Sequence, residues 1–197
     1  MGIEYERKMK ATPETLMQLK KVFRDHQAHF DMETTYYDTP NFDFSARHWT
    51  VRRRMENEKS VCTFKFPVDE VGRGEFEVEC DSIETGVLEL CKLSGKEELA
   101  TLADGGLIPV CGAKFHRIAV PLVFGASAIE LALDEGILTG GGKEIPLAEV
   151  EAELKAGRRE DVDQFATYLM VTYGLEVEKY SKFARAKALA KGDTRHV

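Results

Sequence analysis

The sequence predicts an α+β fold in which about eight strands form a mostly antiparallel sheet, accompanied by four or five helices. Segments with alternating apolar and charged residues follow one another with turns between them. Helical segments do not alternate with these strands one by one. Because parallel strands need long crossover connections, this order favours hairpins and an antiparallel sheet.

The N-terminal segment predicts a strand followed by a helix. Residues 2–10 alternate, and one face carries Glu4, Glu6, Lys8 and Lys10. Thr12 and Pro13 are typical of a helix start, with Thr12 as N-cap and Pro13 at the first helical position. Apolar residues at a helical spacing extend the predicted helix to about residue 30.

The rest of the chain divides into strands and amphipathic helices. Strands are predicted at 32–38, 49–55, 60–66, 75–80, 113–124, 127–135 and 147–155. Helices are predicted at 84–104, in two pieces broken near Gly95, and then at 158–173 and about 180–191. The expectation is one domain over residues 1–197, long enough to bury a sizeable core.

Composition limits the class of partner. The chain has a formal net charge of −7, which argues against a nucleic-acid binder that works through a broad basic surface. An anionic small molecule remains compatible with this charge, since cations can be concentrated locally and divalent metals can neutralise the rest.

The cysteines and the hydropathy indicate a cytoplasmic protein. Cys62, Cys80, Cys91 and Cys111 lie far apart and form no CxxC pair, which favours reduced thiols over a disulfide frame or a zinc site. No apolar run approaches the ~20 residues that span a bilayer. The charged start of the chain is not typical of a signal peptide.

Charged residues recur at every second position of several predicted strands. The sets are Glu4/Glu6/Lys8, Arg52/Arg54, Lys65, Glu75/Glu77, Glu130/Asp134 and Glu149/Glu151/Glu153. Any strand with one face in water shows such alternation, so a solvated face is one interpretation. In the other, the strands close into a barrel with the polar face inward. Carboxylates could then hold a hard divalent cation while Arg and Lys clamp phosphate oxygens. Periodicity leaves open which face points inward.

Nine blocks in order resemble the CYTH family, the triphosphate tunnel metalloenzymes named after class IV adenylate cyclase and thiamine triphosphatase. The blocks are IEYERK (3–8), TTYYDTP (34–40), VRRRMENEK (51–59), CTFKF (62–66), RGEFE (73–77), FHR (115–117), IELALDEG (129–136), EVEAELKAG (149–157) and YSKFARA (180–186). The chain is most similar to the bacterial inorganic triphosphatase branch. Some members of that branch carry a second, helical CHAD domain, which we do not expect within these 197 residues.

The resemblance implies a closed eight-stranded antiparallel β-barrel, the triphosphate tunnel, with helices packed around it and the charged faces inside. It also implies roles for individual residues. The implied metal ligands are Glu4, Glu6, Glu75, Asp134, Glu151 and Glu153. The implied substrate-binding residues are Lys8, Arg52, Arg54, Lys65, Arg117, Lys182 and Arg185. Lys182, Glu4 and Glu6 are the implied catalytic residues, and the cofactor is Mg²⁺ or Mn²⁺.

The activity implied is metal-dependent hydrolysis of inorganic tripolyphosphate to diphosphate and phosphate. Other activities stay open: a thiamine or nucleoside triphosphatase, a class IV adenylate cyclase, and a non-catalytic polyphosphate-binding module. The expected partner is a triphosphate-containing small molecule, with no nucleic acid and no membrane, and a homodimer is left open.

Three features are set aside in this interpretation. His26 and His29 are three residues apart on the first predicted helix and are interpreted as surface residues rather than a metal pair. His116 precedes Arg117 in a predicted strand, so it should face the opposite way and be structural. Arg73 lies at a turn, where the tunnel rim and solvent are equally favoured.

Overall fold

The computed structural model of the chain describes residues 2–3, 5–68 and 73–193, with residues 2 and 3 described by their backbone alone. The strands of these residues join in one antiparallel sheet. They are β1 (Gly2–Ile3), β2 (Glu6–Lys10), β3 (Ala28–Asp38), β4 (Thr50–Glu56), β5 (Lys59–Pro67), β6 (Arg73–Glu79), β7 (Ile108–Phe124), β8 (Ser127–Gly140), β9 (Lys143–Ala156) and β10 (Glu176–Val177).

Five of the six helices in the described residues lie where the sequence predicts them, although the first is shorter than predicted, and the short second helix was not predicted. These helices are α1 (Pro13–Val22), α2 (Asp43–Ala46), α3 (Ile83–Ser94), α4 (Glu97–Ala103), α5 (Arg159–Tyr173) and α6 (Lys182–Ala190). Thr12 is the N-cap of α1 as predicted, and its side chain accepts a hydrogen bond from the backbone N–H of Thr15.

The prediction that the first helix reaches residue 30 is wrong. Helix α1 ends at Val22, and residues 28–38 belong to β3. The Gln27 side chain donates hydrogen bonds to the carbonyl oxygens of Lys20 and Phe23, both at 2.9 Å. These bonds satisfy carbonyl groups that a continuing helix would have used, so the chain can turn into the sheet.

The prediction of eight strands closed into a barrel is also wrong. The described residues form a ten-stranded sheet in the order β1-β6-β5-β4-β3-β7-β8-β9-β2-β10, which is an open series ending at β1 and β10. The predicted strand 2–10 is divided, because β1 pairs with β6 whereas β2 pairs with β9. Two residues separate β1 from β2 along the chain, so the sheet must curl strongly to bring β6 and β9 close to the same segment.

Helices cover one face of this curled sheet. Leu16 of α1 and Phe165 of α5 pack against Leu133 of β8 in one buried apolar cluster. A second cluster joins Leu90 of α3 to Phe64 of β5. The alternate side chains, which include Asp134 of β8 and Lys65 of β5, point to the opposite face, as the alternation along a strand requires.

Helix α6 differs from the expected arrangement because it packs on the charged, concave face. Its Ala186 is fully buried in a cluster with Tyr36 of β3 and Phe115 of β7. Small residues allow a close approach here: a Cβ on Gly140 would lie 2.3 Å from the carbonyl oxygen of Ala186. The helix therefore places the residues at its N-terminus next to the charged strands.

The expectation of reduced cysteines is contradicted for one pair, since Cys62 and Cys80 form a disulfide. They are 18 residues apart along the chain, but β5 and β6 are antiparallel neighbours and bring their sulfur atoms together. Cys91 and Cys111 are free thiols.

None of the helices in the described ranges has the length and apolar character needed to cross a membrane.

Candidate active site

A cavity on the concave face gathers side chains from β2, β3, β4, β5, β6, β7, β9 and α6. Eight of the residues implicated by sequence line it. They are Glu6, Lys8, Arg52, Arg54, Lys65, Arg117, Glu151 and Lys182. Strand alternation explains why pairs two residues apart, such as Arg52 and Arg54, enter the same cavity.

The basic wall of the cavity is built by β4 and β5 and is supported by carboxylates of β6. Lys65 Nζ lies 3.2 Å from Glu75 Oε1, and Arg52 lies 3.5 Å from Glu77 Oε1. Arg54 lies 3.7 Å from the same Glu77 oxygen. Burial, and after it the charge of Arg52, lowers the pKa of Arg54. Cations held this close together favour the arrival of an anion.

A second group of charges lies where β7, β8 and β9 meet α6. Asp134, Glu149 and Glu151 each offer a carboxylate oxygen within 4.8 Å of the others. Lys182 Nζ lies among them, at 2.9 Å from Asp134 and 2.8 Å from Glu151, with Glu149 in closer contact. The ammonium group therefore occupies the point where these three carboxylates converge.

Arg117 completes this group from β7. Its guanidinium donates two hydrogen bonds to Asp134, at 2.7 and 2.6 Å, and a third to Glu151 at 2.5 Å. The paired strands dictate the contact, because Arg117 lies directly opposite Asp134 in the β7–β8 register. A forked guanidinium fits a carboxylate in this bidentate way and fixes the orientation of both groups.

The protonation states of the group follow from burial and charge together. Burial alone would lower the pKa of Lys182, but Asp134, Glu151 and Glu149 raise it well above its usual range. Burial raises the pKa of Glu149 to about 7, against the opposing charges of Lys182 and Arg185. For Glu151, burial is outweighed by Lys182 and Arg117, which hold the pKa of its carboxyl well below the usual range.

Arg185 lies behind the cavity rather than in its lining. It contacts Glu149, and it lies 3.3 Å from Glu178 Oε2, a carboxylate that is almost fully buried. The backbone N–H of Tyr180 also donates to Glu178 Oε1 at 2.8 Å. Glu178 thus holds the segment that enters α6 and, through Arg185, the position of Glu149.

The remaining implicated carboxylates are more dispersed. Glu6 Oε1 accepts a hydrogen bond from Lys8 at 2.9 Å. Glu153 lies opposite Glu6 in the β2–β9 register, but its carboxylate pairs with Lys155 at 2.8 Å and is not part of the cavity lining. Glu75 lies on the basic wall, away from the three-carboxylate cluster. Glu4 lies outside the described residues.

Several residues of the site were missed or left undecided by sequence. Alternation placed Glu149 on one strand face with Glu151 and Glu153, but the resemblance implied no role for it. Arg73 lines the cavity, and its guanidinium donates to the His48 carbonyl at 2.9 Å. The rings of Tyr36 and Phe183 also line the cavity, with centroids 5.0 Å apart. No local pattern joins residues from β3 and α6.

A curated relative is similar in sequence to most of this chain. An inorganic triphosphatase from Haemophilus influenzae is 28% identical over 193 residues, which are 94% of this chain and 54% of that protein. The chain therefore spans about half the length of the curated relative it matches.

Two solved structures share the fold. One is a Hippeastrum protein, described as a candidate adenylyl cyclase with a dominant triphosphatase activity. It is 19% identical, with a TM-score of 0.65 and coverage of 98% of this chain and 96% of that one. The other, from Bacillus halodurans, is described as a candidate adenylate cyclase. It is 18% identical, with a TM-score of 0.66 and coverage of 93% and 96%. At such identities the likeness concerns the fold alone.

The family assignment rests on the match to the CYTH domain, which covers residues 2–186. A single domain over 1–197 stays a prediction. With a match over nearly its whole length, the chain belongs to the CYTH domain family.

Proposed function

We propose that this chain hydrolyses a triphosphate, with inorganic tripolyphosphate as the substrate and diphosphate and phosphate as the products. One observation carries the proposal. Among the described residues, the cavity is lined by seven cations and two carboxylates, although the chain as a whole has a net charge of −7. The cations are Lys8, Arg52, Arg54, Lys65, Arg73, Arg117 and Lys182. A cationic cavity in an acidic protein is suited to a compact polyanion.

The cations would bind and orient the phosphate chain. Arg52 and Arg54 project from one strand and can each donate two hydrogen bonds to a phosphate group. Arg117 and Lys182 approach from β7 and α6. During hydrolysis, negative charge shifts to the leaving diphosphate, so cations fixed in advance stabilise the transition state.

The residues also fit a hard divalent cation, Mg²⁺ or Mn²⁺. Glu6 and Glu151 line the cavity and supply carboxylate oxygens, the donor type that such ions prefer. We propose that Glu4 and Glu153 complete the set. Asp134 and Glu75 stay predicted ligands, and their contacts in the structure are with cations. A bound ion would neutralise charge on the phosphate oxygens.

Lys182 is proposed to act as a phosphate-binding cation. Its pKa lies above the usual range because three carboxylates outweigh the effect of burial, so it keeps its proton at neutral pH. An ammonium group cannot take a proton from water, whereas it can stabilise charge on phosphate oxygens. Glu6 is the carboxylate that we propose to orient the attacking water, since it lines the same cavity.

The test is release of phosphate from tripolyphosphate with Mg²⁺ or Mn²⁺, using the wild-type chain, Glu6→Gln and Glu33→Gln. Glu33 is the matched control, because its side chain is 64% exposed and pairs with Lys114 on the convex face. We expect Glu6→Gln to lower kcat by about 100-fold or more and Glu33→Gln to leave it within about twofold. Full activity in Glu6→Gln would remove Glu6 from the site.

A second candidate substrate is an organic triphosphate. The observation that favours it is the aromatic part of the lining, Tyr36, Phe115 and Phe183, which could contact a base or a thiazole ring. A panel of tripolyphosphate, ATP and thiamine triphosphate separates the two candidates. Cleavage of ATP or thiamine triphosphate without cleavage of tripolyphosphate would change the substrate assignment. Cyclic AMP formed from ATP would indicate a cyclase, and tight binding without turnover a binding module.

The cytoplasm and a small-molecule partner, without nucleic acid or membrane, stay part of the proposal. The Cys62–Cys80 disulfide bears on the compartment, because reducing compartments disfavour such bonds. Alkylation of free thiols in freshly lysed cells, followed by mass spectrometry, measures whether this pair is oxidised where the protein resides.

Light scattering during gel filtration decides between a monomer and a homodimer.

A further inference from the structure

A histidine pair lies on the convex face of the sheet, away from the cavity. His116 is next to Arg117 in β7, and because successive side chains alternate, it points to the opposite face. His29 lies in β3 rather than on the first helix, so it reaches the same face from the neighbouring strand. Both histidine side chains are accessible to solvent, and neither belongs to the cavity lining.

The two rings are in direct contact through nitrogen atoms. His29 Nδ1 lies 3.1 Å from His116 Nε2, and the ring centroids are 5.3 Å apart. On its other side, His116 Nδ1 lies 2.9 Å from Asp31 Oδ1. A carboxylate oxygen accepts a hydrogen bond, so His116 Nδ1 carries the proton and Nε2 keeps its lone pair. That lone pair is directed at His29.

We propose that His29 and His116 form a surface binding site for a borderline transition metal ion, such as Cu²⁺ or Zn²⁺, and that Asp31 orients His116. Metal-ligating histidines commonly donate their second ring N–H to a carboxylate, as His116 does to Asp31. Imidazole nitrogen suits copper and zinc, whereas Mg²⁺ prefers oxygen.

The separation of the nitrogen atoms fits this role. Two ligands at about 2.0–2.1 Å from one ion are separated by about 2.9 Å at a right angle and by about 3.3 Å in a tetrahedron. The observed 3.1 Å between His29 Nδ1 and His116 Nε2 lies between these values. To accept the ion, His29 moves its proton from Nδ1 to Nε2, and the two rings turn so that both lone pairs point to one position beside the line that joins the nitrogens. Both are side-chain changes.

A further carboxylate lies on the neighbouring strand. Glu135 of β8 lies directly opposite His116 in the β7–β8 register. Its carboxylate, 46% exposed, pairs with Lys20 at 2.6 Å. Cross-strand neighbours of this kind have Cβ atoms about 4.5–5.5 Å apart, so Glu135 would have to leave Lys20 to reach the ion, and water would supply the other ligands. The site would connect β3, β7 and β8 on the face that the substrate does not reach.

The test uses Cu²⁺ and electron paramagnetic resonance of the full chain, because coupling to nitrogen distinguishes imidazole ligands from the carboxylates of the cavity. The chain is compared with His29→Gln, His116→Gln, Asp31→Asn and the control His26→Asn. His26 is an exposed loop histidine with φ of 61°, a conformation that asparagine tolerates.

We expect coupling to two imidazole nitrogens in the wild-type chain and in His26→Asn, and its loss in both His29→Gln and His116→Gln. Asp31→Asn should keep the coupling but weaken Cu²⁺ binding by about 10-fold, since it disturbs only the orientation of His116. A wild-type spectrum coupled to fewer than two nitrogens would overturn the proposal. Coupling to two nitrogens that persists in either histidine variant would overturn it equally. Neither result depends on triphosphate hydrolysis, so this proposal and the proposed function are tested separately.

Discussion

Replacing Lys182 by methionine removes the ammonium group around which Asp134, Glu149 and Glu151 converge, while keeping a side chain of similar length. In the wild-type chain, four carboxylates of this region (these three and Glu178) face three cations, Arg117, Lys182 and Arg185. In the variant, two cations remain. Asp134 and Glu149 are fully buried, so water cannot replace the lost contacts.

We expect Lys182→Met to lower the free energy of unfolding strongly, because the carboxylates that it leaves without a partner are buried. Removing one partner of a buried ion pair typically destabilises a protein by about 3–5 kcal/mol. We expect a loss in this range at pH 8 in EDTA. At about 2 kcal/mol per M of urea, the unfolding midpoint would fall by about 2 M. The loss should be smaller at pH 6, because Glu149, with a pKa of about 7, can then take up a proton.

Urea unfolding followed by far-ultraviolet circular dichroism measures this change, with and without Mg²⁺. The variant exposes three carboxylate oxygens within 4.8 Å of one another to an incoming cation. Mg²⁺ should therefore stabilise Lys182→Met more than the wild-type chain, by about 2.7 kcal/mol at 100 times its dissociation constant. A loss below about 1 kcal/mol at pH 8 in EDTA would refute the view that Lys182 neutralises this cluster.

Three further predictions concern stability. The pKa of Glu149 is raised from 4.5 to about 7 on folding, so the stability it contributes is fully present below pH 4.5 and is lost as the pH rises through 7. Between pH 4.5 and 7, the free energy of unfolding of the metal-free wild-type protein should therefore fall by about 3 kcal/mol more than that of Glu149→Gln. If the unfolding free energies of the two proteins changed in parallel with pH, this prediction would be contradicted. Gly86→Ala places a Cβ 2.4 Å from Cys62 Sγ and should cost about 1–3 kcal/mol, whereas an unchanged urea midpoint would show that α3 can move away. Thr12→Ala should cost about 1 kcal/mol in the same assay and Thr12→Ser much less, because serine keeps the cap of α1.

Local periodicity predicted a large part of the fold. The cap of α1, the division of 84–104 into α3 and α4, and the positions of β4, β5 and β6 follow from residues close together in sequence. The same alternation placed Arg52 and Arg54 on one face. The predictions were wrong where contacts between more distant residues were decisive. A side-chain hydrogen bond from Gln27 accompanies the end of α1, and residues 2–10 are divided because β1 pairs with β6 whereas β2 pairs with β9.

The sequence by itself determined which residue types share a strand face and, through nine ordered blocks, which family they resemble. Only the tertiary structure decided which of those faces meet. Lys182 is 33 residues from Glu149 along the chain, and His29 is 87 residues from His116. Such pairs depend on strand register and on where α6 packs, and a shift of one residue in register would turn every side chain of a strand to the other face. Register is set by pairing across the whole sheet, so it cannot be deduced from any one segment.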